Sequence, residues 1–110
     1  MLVKWLEISY YSNGKKQYTD QLGSLTSTGY EFRTRVNAMA ALKRCGYFSE
    51  DLVENAIDAL LSPNDRLSNP ARDLLKFFYS QDKYRAAISS YVASGHWETW
   101  QKTILSANDF

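Results

Sequence analysis

The stretch Glu50–Phe78, EDLVENAIDALLSPNDRLSNPARDLLKFF, decides the fold. Leu52, Val53, Ala56, Ile57, Leu60 and Leu61 recur at three- and four-residue intervals, which places them on one face of a helix. Ser49 stands where an N-cap is wanted, and Glu50 and Asp51 put negative charge beside the positive helix end. Ser62-Pro63-Asn64-Asp65 stops this helix. Asn69 and Pro70 read as the N-cap and first residue of the next helix, whose buried stripe is Ala71, Leu74, Leu75 and Phe78. Two helices joined by so short a polar turn pack as antiparallel neighbours.

Upstream, Thr28-Gly29-Tyr30-Glu31 matches a capping box, followed by a stripe of Phe32, Val36, Met39 and Leu42. Ala38, Ala40 and Ala41 favour helix and close packing, and Gly46 suits a left-handed helix end. Lys15–Leu25 carries Tyr18, Leu22 and Leu25 at helical spacing, with Gly23 ending the segment. Before it, Leu2–Tyr11 reads as an amphipathic helix with Leu2, Val3, Leu6 and Tyr10 on its buried face; Trp5 and Ile8 leave that face. Its β-branched and aromatic content also admits a strand. Ser12-Asn13-Gly14 is a turn.

Downstream, Ser80 breaks the chain and caps a helix with Tyr84, Ala87, Ile88, Tyr91 and Val92 on its stripe; Gly95 ends it. Trp97, Trp100, Ile104 and Leu105 mark a last short helix, with Trp100 read as core, before a frayed Asn108-Asp109-Phe110. The expectation is therefore an all-α single domain over residues 1–110. Six or seven short helices pack as antiparallel hairpins, either as an α-α superhelix or as a compact bundle.

The Glu50–Phe78 hairpin resembles the HEAT repeat, over roughly residues 30–92. Leu52, Val53, Ile57, Leu60 and Leu61 match the first helix of the pattern, Pro63, Asn64 and Asp65 its turn, and Ala71 with Leu74 or Leu75 its second helix. Asn69-Pro70 replaces the Val-Arg pair that opens the second helix in that family, so the match is degenerate. More narrowly, Ala59–Leu67 followed by Asn69-Pro70-Ala71 is similar to a hairpin of the HEAT- or armadillo-like C-terminal domain of zinc aminopeptidases of the aminopeptidase N type. That resemblance implies a domain that helps enclose an active site. It carries over no catalytic residue, because the family's His-Glu-x-x-His is absent from this sequence.

No catalytic, cofactor-binding or metal-binding set is legible. Zinc needs three or four ligands, usually His and Cys, and the chain has one His, His96, and one Cys, Cys45. His96 reads as a solvated residue at a helix start, and Cys45 as a small buried residue at a helix end despite Lys43 and Arg44 beside it. Thirteen basic and 12 acidic residues give a net charge of +1, which predicts no strong general pull toward nucleic acid or anionic lipid. No run approaches the roughly 20 apolar residues of a membrane span.

What remains is a non-catalytic helical-repeat module for protein interaction or structural support. The alternatives are the aminopeptidase C-terminal domain and a HEAT-like nucleic-acid binder. Candidate partner-contact residues are Trp5, which leaves its stripe, and Arg33, Arg35 and Arg44 on the third helix, where Arg35 can also pair with Glu31. With Lys43 these cations read either as an ordinary solvated helix face or as a concave basic groove for an acidic peptide or a nucleic-acid backbone. The partner is another protein or the remainder of a larger chain. About two and a half helix pairs are fewer than the three or so repeats that a stable stack uses. If the chain is the C-terminal part of a larger protein, an apolar face near Leu2–Tyr10 stays exposed. A lone cysteine fits a cytoplasmic setting if the chain is complete; otherwise the parent protein sets the location.

Overall fold

The computed structural model describes residues 2–110, and within them the chain is all-helical. Seven helices follow one another: α1 (Leu2–Asn13), α2 (Lys16–Ser24), α3 (Phe32–Cys45), α4 (Glu50–Leu60), α5 (Asp65–Tyr79), α6 (Asp82–Ser94) and α7 (Thr99–Ala107). The first six pack on near neighbours. α1 meets α3 and α3 meets α5, forming one row; α4 meets α6 in a second row; α2 lies against α1 and α3. α5 bridges the rows, touching α3, α4 and α6. The result is a flattened block of 43 × 29 × 18 Å.

The hairpin α4–α5 supplies most of the core, as its periodicity requires. Leu52, Val53, Ala56, Ile57, Leu60 and Leu61 are all buried, and so are Ala71, Leu74, Leu75 and Phe78. The Ser49 hydroxyl accepts from the Leu52 amide at 3.1 Å, so α4 is capped where the sequence placed the cap. Gly46 takes φ +69°, and the Tyr47 amide reaches back to the Leu42 carbonyl at 3.2 Å, a left-handed stop that tethers α3.

Several helix boundaries differ from the sequence reading: Gly23 lies inside α2, and α7 begins at Thr99, after Trp97. α5 begins at Asp65, not at Asn69-Pro70: the Asn64 side chain accepts from the Arg66 amide at 3.1 Å. Pro70 therefore lies inside the helix, in its second turn, where its missing N–H removes one backbone bond. Thr28 and Glu31 make no capping box. Ser27–Tyr30 forms a turn, and Glu31 is an N-cap without a side-chain bond. Ser80 caps no helix; its hydroxyl donates to the Phe77 carbonyl behind it. Asn108–Phe110 is not frayed: Asn108 accepts from Arg72 Nε at 2.7 Å, and Phe110 packs edge-on against Tyr79. These contacts pin the end of α7 to α5.

Two buried faces are turned from their expected positions. On α3, Arg35, Ala38, Met39, Ala41 and Leu42 are buried, while Phe32 and Val36 are half-buried. α3 sits between α1, α2 and α5, and the small Ala38 and Ala41 permit that crowding. On α1, Val3, Leu6 and Glu7 are buried, and Leu2 is exposed together with Trp5, Ile8 and Tyr11. An apolar face along α1 thus stays uncovered, as expected for the edge of a row. Ser12 and Asn13 extend α1, and the left-handed stop falls on Gly14 alone.

Candidate functional site

α4 is amphipathic in an unusual sense: its solvent side is entirely acidic. Glu50, Glu54 and Asp58 follow at four-residue intervals with Asp51 beside them, and all four are exposed. No Lys or Arg occurs in α4. Like charges four residues apart each cost a few tenths of a kcal/mol, about 0.2–0.5. Glu50 and Asp51 recover this by facing the positive helix end. Asp58, in the last turn, is instead matched by Arg35 from α3 at 3.2 Å. Glu54 has neither compensation, and no hydrogen bond or ion pair engages it among the described residues.

Arg35 is the hinge of this region. Its side chain is 7% exposed, against 53% for Asp58. Nε donates to the Thr26 carbonyl at 2.9 Å, and Nη2 donates to the Asn55 carbonyl at 3.3 Å and to Asp58. Asn55 Nδ2 in turn donates to the Thr26 hydroxyl. The cation therefore stitches the α2–α3 turn to α4 and does not pair with Glu31 through its side chain.

Two clefts flank the acidic ridge, and Glu54 and Asn55 line both. One, of about 500 Å³, lies toward α2 and is bordered by Asp20, Tyr47 and Asp51. The Tyr47 hydroxyl donates to Asp20, which, with burial, pushes the phenol up to about 12. The other, of about 440 Å³, lies toward the α6–α7 corner, with Asp58, Tyr91, Trp97 and Trp100 on its walls. Burial raises the Tyr91 phenol above its ordinary value, and the negative charges of Glu54 and Asp58 add to the rise.

The indoles of this corner are held in place. Trp97 Nε1 donates to the Val92 carbonyl at 2.8 Å, and its ring lies 6.0 Å from that of Tyr91. Gly95 leaves room for it: a β-carbon there would meet the Trp97 ring at 2.5 Å. Trp100 Nε1 donates to Glu98 at 2.7 Å, and the Glu98 amide donates to Gln101 Oε1 at 2.8 Å, fixing the start of α7. Trp100 is 50% exposed, which corrects its reading as core. It is the first large residue of α7 and lines the cleft, whereas Leu105, about one and a half turns later, is buried.

The cations singled out in the sequence do not form one groove. Arg35 is buried. Arg44 donates through Nε and Nη2 to the two oxygens of Glu7, both at 2.7 Å, tying α3 to α1 and holding the Glu7 carboxyl below its usual range. Arg33 is exposed beside the Phe32 ring. Lys43 points toward Phe77. Trp5 is exposed on α1, edge-on to Tyr18 at 5.9 Å. Burial raises the Cys45 thiol despite Arg44 nearby, and His96 is exposed in the α6–α7 loop. Among the described residues no three His, Cys, Asp or Glu side chains are grouped to hold a metal ion, and no helix is long and apolar enough to cross a membrane.

Sequence reasoning named neither Glu54 nor Trp100 as a site residue. The signal for the ridge was present: three carboxylates at four-residue spacing with no cation four residues away. What the arrangement offers is negative charge on a rigid helix, edged by aromatic faces, a surface that attracts cations. No protein-family pattern, characterised protein or solved structure matches the chain.

Proposed function

We propose that the chain is a non-catalytic helical-repeat module that binds a protein partner, and that the partner presents a positively charged segment to α4. The observation that carries this reading is the exposed acidic ridge, Glu50, Asp51, Glu54 and Asp58, running between two clefts, with Glu54 uncompensated at its centre. A face that weakens its own helix by like-charge repulsion is explained by an opposite charge that arrives from outside. The row α1, α3, α5 and the second row α4, α6 support the repeat reading, because stacked helix pairs generate such rows.

The functional reading of the basic residues in the sequence was a groove for an acidic ligand. The engagement of Arg35 by Asp58 and of Arg44 by Glu7 supports a basic partner over an acidic one. The test is titration with a lysine-rich peptide and a glutamate-rich control, at about 0.01 M and again at about 0.15 M ionic strength, where the screening length falls from about 30 to about 8 Å. At about 6 Å in water each carboxylate contributes about 0.7 kcal/mol. An E50Q/D51N/E54Q variant thus loses about 2 kcal/mol, roughly 30-fold in affinity. Equal binding by the variant, or no binding of the basic peptide at low salt, refutes the reading.

A further inference from the structure

The ridge explains attraction of positive charge; the α6–α7 corner has features that charge alone does not use. Three aromatic side chains, Tyr91, Trp97 and Trp100, line the same cleft as Glu54 and Asp58. Two of the three rings are fixed through their own N–H groups, Trp97 on Val92 and Trp100 on Glu98, so their faces are set before any ligand arrives. The one cation in the wall, Arg35, is closed off by Asp58 and by the Thr26 and Asn55 carbonyls. Pairing with Arg35 takes up Asp58, and Glu54 is left as the unpaired carboxylate. The cleft volume, about 440 Å³, is in the range of small-ligand sites.

We propose that this cleft takes a trimethylammonium group, carried by a free small molecule or by a lysine side chain. The rings of Trp97, Trp100 and Tyr91 supply the contact, and Glu54 the counter-charge. The proposal deepens the reading of α4 as a cation-binding face and names the chemistry at one end of it. A methylated ammonium is large and weakly hydrated. It gains from ring faces, whereas a bare ammonium is held by hydrogen bonds to carboxylates and water. Trp100, half exposed, offers its ring to such a group without rearrangement of the core.

The experiment titrates the full chain with choline and with its uncharged isostere 3,3-dimethylbutan-1-ol. In parallel arms it uses one lysine peptide, unmodified and trimethylated. The indole N–H signals of the three tryptophans are followed by ¹H–¹⁵N NMR. Choline, the trimethylated peptide or both shift the Trp97 and Trp100 signals and leave Trp5 in place. The isostere binds at least about tenfold more weakly, Trp100→Ala lowers affinity about tenfold, and Glu54→Gln lowers it by roughly three- to tenfold. Because Trp100 is exposed, an unchanged thermal transition shows that the variant is folded. Choline binding without preference for the methylated peptide identifies a free ammonium compound as the ligand; a preference for that peptide identifies a modified lysine. The proposal is overturned if the isostere binds as well as choline, or if Trp100→Ala leaves affinity unchanged. A lysine peptide that binds equally with and without methyl groups, while choline fails to bind, sinks this inference and leaves the proposed function standing. Binding of choline with no binding of any basic peptide does the opposite.

Discussion

Replacing Arg35 with methionine keeps most of the aliphatic stem and removes the guanidinium from the junction of α2, α3 and α4. Three bonds disappear, to the Thr26 carbonyl, the Asn55 carbonyl and Asp58. They are not equal. Thr26 is fully buried, so its carbonyl loses a charged donor with no water to replace it, at a cost of about 1–3 kcal/mol. The bond to Asn55 is long, 3.3 Å, and Asp58 is half exposed and rehydrates, so each adds less than about 1 kcal/mol. Relief from burying a charge offsets part of the loss. The net expectation is a destabilisation of about 2–3 kcal/mol. With a urea slope of about 1–3 kcal/mol/M, the midpoint falls by about 1–2 M. Equilibrium urea unfolding followed by helical circular dichroism measures it. Stability within about 0.5 kcal/mol of the parent chain would refute the view that Arg35 holds the turn to α4. The same variant frees Asp58, so binding of a basic peptide to the folded protein becomes tighter, not weaker.

Other consequences follow from single positions. Gly46 occupies the left-handed stop of α3 with open space around it, so Gly46→Ala costs about 1 kcal/mol through backbone strain alone; a neutral effect in thermal unfolding would remove that assignment. Pro70 denies Arg66 its helical bond, and Pro70→Ala should stabilise the chain by about 1–3 kcal/mol; a loss of stability would show that the proline ring packs to advantage. The Glu7 carboxyl is held below its ordinary 4.5 chiefly by its hydrogen bonds from Arg44. A carboxyl lowered in the folded state contributes stability that is complete above the unfolded value and lost as pH falls through the folded one. The difference in stability between the parent chain and Glu7→Gln is therefore largest near neutrality and shrinks below about pH 4.5. A gap that stays constant from pH 7 to 3 would mean that Glu7 acts by packing rather than by charge.

Periodicity alone determined that this chain is helical, that α4 is capped at Ser49, that α3 stops at Gly46, and that the α4–α5 hairpin forms the core. Those features depend on residues within a turn or two of one another, and an apolar stripe or a cap acts at that range. The start of α5 was misread because Asn69-Pro70 and Asn64-Asp65 are both good local starts. The apolar Leu67, buried in the assembled core, draws the earlier turn into the helix. Tertiary structure decided everything that depends on which helices become neighbours. It buried Arg35 against Thr26 and Asp58, paired Arg44 with Glu7, and left Trp100 half exposed in the wall of a cleft and not in the core. It also brought Glu54 beside Tyr91 and Trp97, residues some forty positions further along the chain. A net charge of +1 is a sum and carries no geometry. Only the packing of α3 against the α2–α3 turn and α4 drew Arg35 inward, while the acidic residues of α4 face solvent.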